Sequence, residues 1–431
     1  MQDKAYRRII NAWCMYDWAN SAFATTIMAA VLPTFYGAVA GADLPGNLAT
    51  VYWGYTSSIA LLIGAVLAPV LGAAADYLGA KKRFLAIFAL FGIFFTSLLV
   101  LVSRGDWLLA SVLYILGELG FSGSTVFYDS LLPHIARPED IDYVSSKGYA
   151  MGYLGGGILL AINIVMILFW DKLGLPSQEM ASRLSFLSVG IWWAVFSIPI
   201  LRIVPEPPVR EASGPRVNPF RAAFQRLGST FRDIRRYKEL TKFIIAFWLY
   251  NDGIGTIIKM ATIYGTEIGI GQTSLIGALL LTQFVGIPFS LLFGKLPRFI
   301  GTKRSIYLAL GVYTLISIAG YFMTSAWQFW VLAGMVGLVQ GGSQALSRSL
   351  FGLMVPKAKS AEFYGFYDVS SKFAGIVGPA VFALVGQITG TSRLSIISLI
   401  IFFVVGGLLL TLVDEQEGIR VAREADAIAA T

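Results

Sequence analysis

The chain has 431 residues, of which 56% are apolar and only 13% charged, with a net charge of +8. Soluble domains carry about 25% charged residues, so this composition excludes a soluble enzyme, and an aromatic content of 14% excludes a disordered chain. With a mean hydropathy of +0.70, it describes an all-α integral membrane protein.

A bilayer core of about 30 Å needs about 20 helical residues. Twelve apolar segments reach that length: 9–40, 50–75, 84–103, 107–132, 142–169, 183–204, 241–268, 274–294, 305–324, 328–353, 364–387 and 393–413. The first is too long for a signal-peptide core and has no small-residue cleavage site behind it. Arg7 and Arg8 ahead of it read as a cytoplasmic anchor. Trp13, Trp18, Trp53, Trp107, Trp170 and Trp327 read mostly as interfacial anchors near span ends. Gly152, Gly155, Gly156 and Gly157 in the fifth span permit close helix contact. One cysteine, Cys14, excludes a disulfide framework. One histidine, His134, reads as a solvated loop residue and argues against a histidine-rich metal centre. No cofactor or metal is expected.

Twenty-three of the 33 lysines and arginines fall in the termini and in the loops near 76–83, 133–141, 205–240, 295–304 and 354–363. The opposite loops hold only Arg104 and Lys172. Positive-inside bias therefore places both termini in the cytoplasm and explains the net charge without nucleic acid. The longest loop separates six spans from six, so the chain divides into 1–204, a basic linker 205–240, 241–413 and a tail 414–431. The linker interleaves Arg221, Arg226, Arg232, Arg235, Arg236 and Lys238 with aromatic residues, as an amphipathic helix on the membrane surface would.

The two halves repeat. Val144-Ser145-Ser146-Lys147 recurs as Val369-Ser370-Ser371-Lys372, Pro133 as Pro356, and Gly72, Gly79 and Lys81 as Gly294, Gly301 and Lys303. Such a parallel six-plus-six repeat puts a binding site near mid-membrane. The loop from Gly72 through Asp76, Gly79, Lys81 and Lys82 to Arg83 resembles the signature of the major facilitator superfamily. Trp13-Cys14-Met15-Tyr16-Asp17-Trp18-Ala19-Asn20-Ser21-Ala22-Phe23, Gln340-Gly341-Gly342-Ser343-Gln344-Ala345-Leu346-Ser347-Arg348-Ser349 and Ala361-Glu362-Phe363-Tyr364-Gly365 resemble its vacuole-effluxer (autophagy-related) family more closely. The resemblance implies the major facilitator fold and a central cavity lined by the first, fourth, seventh and tenth spans. In fungi it implies amino-acid release from the vacuole. In the second-half loop Arg298 stands where Asp76 would repeat, so an acid-dependent gating contact is expected only in the first half.

Charges in the hydrocarbon core cost about 2.5–3.5 kcal/mol each on insertion scales, so they persist by pairing or by facing a wet cavity. At about 1.5 Å per residue, Asp17 lies about 12 Å into its span, and Glu118 and Asp252 about 16 Å into theirs. Asn20, Ser21 and Ala24 share the Asp17 face. Ser122, Thr125 and Asp129 share that of Glu118, and Gly255 and Lys259 that of Asp252, with Asn251 alongside. Gln340, Gln344 and Arg348 form a fourth stripe. Asp17, Asn20, Glu118, Ser122, Asn251, Asp252, Lys259, Gln340 and Gln344 are therefore the candidate substrate or proton site. Interhelical hydrogen bonding is the alternative. By the resemblance, Gly72, Asp76, Gly79, Lys81, Lys82, Arg83 and Asp129 form a cytoplasmic gate with the eleventh span, joined by Lys147, Arg348, Glu362, Asp368 and Lys372.

The expected activity is secondary active transport of a small polar organic solute by alternating access. Amino acids are candidate solutes, and the buried acids leave proton coupling open. A drug or lipid exporter of the same fold and a non-transporting membrane receptor are the alternatives. The expected setting is a monomer in a lipid bilayer, the plasma (inner) membrane of a bacterium rather than a vacuolar membrane.

Overall fold

The computed structural model describes residues 2–45, 48–207, 237–270, 272–373 and 377–428, and among these every regular element is helical. The amphipathic reading of the basic linker falls on residues 208–236, outside the described ones. In chain order the helices are α1 (Gln2–Ala22), α2 (Leu48–Leu78), α3 (Lys81–Leu98), α4 (Trp107–Ile135), α5 (Ile141–Leu168) and α6 (Gln178–Ile203). They continue as α7 (Lys238–Glu267), α8 (Gln272–Lys295), α9 (Thr302–Tyr321) and α10 (Ala326–Met354). The eleventh span is described as two helices, α11 (Ser360–Phe373) and α12 (Val377–Thr389). The twelfth, α13 (Ser392–Thr411), precedes a tail helix, α14 (Glu415–Ile428). α1 continues without a break through π-helical turns at Phe23–Ala30 and Tyr36–Ala40.

Nine of the described helical segments are long and apolar enough to cross a membrane. α7 falls outside that group, and Asn251, Asp252 and Lys259 interrupt its apolar run. The spans keep large apolar side chains on their outer faces, among them Leu62, Ile87, Leu168, Leu292 and Leu408. In water such a surface would aggregate; in hydrocarbon it is the solvated surface.

The chain forms two compact units, Met1–Leu131 with Met151–Ala223, and Leu132–Ala150 with Phe224–Thr431. Residues 132–150, the end of α4 and the start of α5, therefore pack with the C-terminal helices. In the N-terminal unit α1 packs along α6, and α3 along α6. α3 and α4 cross where a Cβ on Gly120 would stand 2.3 Å from Gly92 Cα. The α5 glycines serve α1 in the same way: a Cβ on Gly155 would come within 2.4 Å of Trp18 O.

In the C-terminal unit α8 packs along α10, and α7 along α13. A capping box between Ser325 and Gln328 opens α10. The tail, expected only as a cytoplasmic extension, is a docked helix. Gly418 faces Met354 and Glu239, and the Lys357 N–H donates to Asp426 Oδ1 at 2.8 Å. On its outer face Arg420, hydrogen-bonded to Glu417, holds that carboxyl below its ordinary range.

Candidate functional site

In the N-terminal unit the aromatic motif of the first span is a packing device around an acid. Trp13 and Tyr16 are fully buried. The Trp13 ring stacks on Tyr128 of α4 at 4.3 Å, and its Nε1–H donates to Tyr128 O at 3.0 Å. The Tyr128 hydroxyl then donates to Asp17 Oδ2 at 2.7 Å. Trp13 is thus a buried wedge between helices, not an interfacial anchor. Trp18 stacks on Trp192 and accepts its indole N–H through its carbonyl. Asp17 is half-buried, Asn20 and Ser122 are buried, and Glu118 is only 2% exposed on α4.

The signature loop closes on itself. Lys81 Nζ lies 2.8 Å from Asp76 Oδ1, and both side chains are buried. Gly79 turns the chain between them at φ 57°, the left-handed region that favours glycine. Lys82 does not join this pair: its Nζ donates to Val204 O, and its N–H to Glu206 Oε1, both at 2.8 Å. Arg83 is exposed, Gly72 buried, and Asp129 9% exposed at the far end of α4.

In the C-terminal unit Asp252 is 1% exposed, and its Oδ2 accepts the Gly378 N–H of α12 at 2.8 Å. The acid thus ties α7 to the backbone of α12. Asn251 is half-buried and Lys259 exposed. α7 and α10 are joined again by Tyr250 OH and Ser347 Oγ at 2.6 Å. Gln340 and Gln344 are both half-buried, and Gln340 faces an apolar cavity inside the unit.

Arg348 is the centre of the densest polar cluster. It is 3% exposed; its Nε donates to Ser145 Oγ at 2.9 Å and its Nη2 to Ser145 O at 2.8 Å. Its guanidinium lies 4.4 Å from the Tyr149 ring centroid. Ser145 Oγ donates onward to Ala345 O at 2.7 Å, and Tyr364 OH to Arg348 O at 3.0 Å. One turn away, Asp142 accepts from the hydroxyls of Ser349 and of Thr302, the latter at 2.8 Å. Arg298 pairs with Asp140 at 3.2 Å. The second-half loop therefore does meet acids, supplied by residues 140 and 142 rather than by its own sequence. The reason is geometric: an acid facing the loop replaces one within it.

Lys147 and Asp368 are half-buried, and Glu362 is buried. The Lys372 side chain lies outside the described residues. His134 is not a loop residue: it lies in the last turn of α4 and shares a hydrogen bond with Ser360 Oγ at 3.1 Å. Ser145, Asp142, Ser349, Thr302, Tyr128 and Gly378 were not singled out as site residues. The one signal available is the Val-Ser-Ser-Lys repeat, which marks the two halves but no partner.

The Asp142 node predicts a graded response. Asp142→Ala strips the shared acceptor from two hydroxyl donors and is expected to cost about 2–4 kcal/mol. Arg298→Ala removes a half-exposed pair and should cost under about 1 kcal/mol. Thermal melting in detergent measures both, and equal losses would mean that Asp142 is not the stronger contact.

Residues 5–142 and 139–423 match the family model for vacuole effluxers like Atg22. The Bacillus subtilis (strain 168) MFS-type transporter YxiO is 39% identical over 424 residues, covering 98% of each chain. Autophagy-related protein 22 of Coccidioides immitis (strain RS) is 27% identical over 446 residues, covering 86% of this chain and 73% of its own. Among solved structures, the proton:xylose symporter XylE aligns with a TM-score of 0.74 at 16% identity, covering 97% of this chain and 98% of its own. The major facilitator transporter FucP, in its outward conformation, aligns at 0.68 and 12%, covering 95% and 98%.

Proposed function

Because the chain belongs to the Atg22-like vacuole effluxer family and is a multi-pass membrane transporter of the major facilitator fold, we propose that it moves a small polar organic solute by alternating access, with a proton as the coupling ion. Amino acids fit this reading, as does a basic, cytoplasmic end that carries both termini. The observation that carries it is Glu118, a carboxyl buried at mid-span. A carboxyl without a task is costly to keep at that depth. Asp17 is a weaker proton carrier than the sequence stripe suggests, since Tyr128 already engages its carboxylate. Asp252 reads as the brace of α12.

A proton site has its own kinetic signature. Glu118→Gln is expected to abolish uphill, pH-driven uptake in proteoliposomes, by about 100-fold or more, while counterflow exchange persists. Exchange need not release the proton. The melting temperature should stay close to that of the wild type. Wild-type uphill rates across pH 5–8 would remove Glu118 from the coupling site; loss of both activities with a fallen melting temperature would make it structural.

A further inference from the structure

We infer that the C-terminal unit contains a specificity pocket for an uncharged apolar group of the solute, no larger than a benzene ring or a branched four-carbon chain. This rests on the transporter reading above and adds to it the chemistry of one part of the solute.

The unit contains a partly open cavity of about 120 Å³ with walls from α7, α8, α9, α10, α12 and α13. Close-packed interiors hold few voids larger than a water molecule, and an unfilled one of this size is destabilising. The cavity offers water little to bind. Tyr264 OH donates to Gly320 O at 3.0 Å. Thr282 Oγ1 is directed to Ala278 O and Ala333 O, both at 3.0 Å. Ser317 Oγ donates to Tyr313 O, also at 3.0 Å. Apolar chambers with spent polar groups stay dry, and one of about 150 Å³ accepts benzene.

Two polar groups on the wall differ from these hydroxyls. Gln283 of α8 and Gln340 of α10 line the cavity, are half-buried, and make no side-chain hydrogen bond among the described contacts. Their partial exposure marks a mouth. A carboxamide offers both a donor and an acceptor without charge. No charged side chain lines the cavity among the described residues, so an ionised group would enter without a partner. The walls therefore select an apolar body, and the mouth selects one neutral hydrogen-bonding function beside it. Ala261 and Ala333 are small where they face the space, and lengthening either fills it.

The test uses the full-length protein in detergent and ligand-observed fluorine NMR. The probes are 4-fluorobenzyl alcohol, a ring bearing one hydroxyl, and 4-fluorobenzoate, the same ring bearing a charge. The alcohol is expected to bind saturably and the benzoate roughly tenfold more weakly or worse. Ala333→Leu is expected to abolish alcohol binding with the fold retained. If that variant fails to fold, Ala261→Leu fills the same space from α7. Gln340→Leu should weaken the alcohol roughly tenfold and leave fluorobenzene unchanged. Equal alcohol binding by wild type and the filled variants overturns the pocket.

In proteoliposomes, the filled variant should lose uptake of leucine and phenylalanine by roughly tenfold relative to alanine. Alcohol binding lost with that ratio unchanged overturns the assignment of the pocket to the solute. Alcohol binding retained in a wild-type protein that carries no solute overturns the transporter reading and upholds the ligand site.

Discussion

Arg348→Ala is expected to be the most damaging single change at the basic end of the C-terminal unit, costing about 3–5 kcal/mol. The guanidinium makes two hydrogen bonds to Ser145 and lies over the Tyr149 ring at once. No other residue type reproduces that fork and stack. Arg348→Lys keeps the charge but not the planar geometry, and should recover less than half of the loss. Ser145→Ala leaves the backbone carbonyl in place and should cost about 1–2 kcal/mol. Melting curves of the single and double variants give the coupling energy directly. Additive losses would show that the bond to the Ser145 hydroxyl contributes nothing.

Gly378→Ala is the second large effect. An added Cβ would stand 2.0 Å from Thr256 Oγ1 and 2.7 Å from Asp252 Oδ1. The Thr256 hydroxyl cannot swing away freely, because it donates to Asp252 O at 2.7 Å. α7 and α12 must therefore part, at a cost of about 2–4 kcal/mol. Thr256→Ala in the same chain clears the worst overlap and should restore about half of it. Asp252→Asn keeps an oxygen for the Gly378 N–H, so its melting temperature should fall little, whereas Asp252→Ala should cost about 1–3 kcal/mol. If Asp252→Asn melts as low as Asp252→Ala, the negative charge of Asp252 supplies the stability, and the hydrogen bond does not.

The spans were legible in the sequence because hydrocarbon imposes length and apolarity on every one of them. The close approach of α5 to α1 was legible in its glycines. The partners of the buried polar groups were not. Gly378 lies 126 positions from Asp252 and contributes a backbone N–H, which leaves no side-chain signature. Arg348 and Ser145 are 203 positions apart. The serine stood inside a visible repeat, yet its second copy, Ser370, donates to Phe366 O of its own helix. Identical letters thus form different bonds. Residues 132–150, early in the chain, pack with the C-terminal helices. Sequence order carries no record of that exchange.

The π-helical stretch Phe23–Ala30 changes how α1 must be counted. Within it the Val31 N–H reaches back to Thr26 O, five residues away instead of four. The Asp17 face, extrapolated at α-helical spacing through Ser21 to Ala24, is therefore out of phase beyond Ala22. The stretch amounts to a stored register slip. Deleting one residue there would let an ordinary α-helix run through with everything beyond it facing much as before, because the wide turns already absorb the extra residue. Tyr36, whose hydroxyl meets Ser111 Oγ at 2.8 Å, would keep its partner, as Trp13 and Asp17 below would keep theirs. An alignment that places a one-residue gap outside this stretch would pair side chains facing different directions.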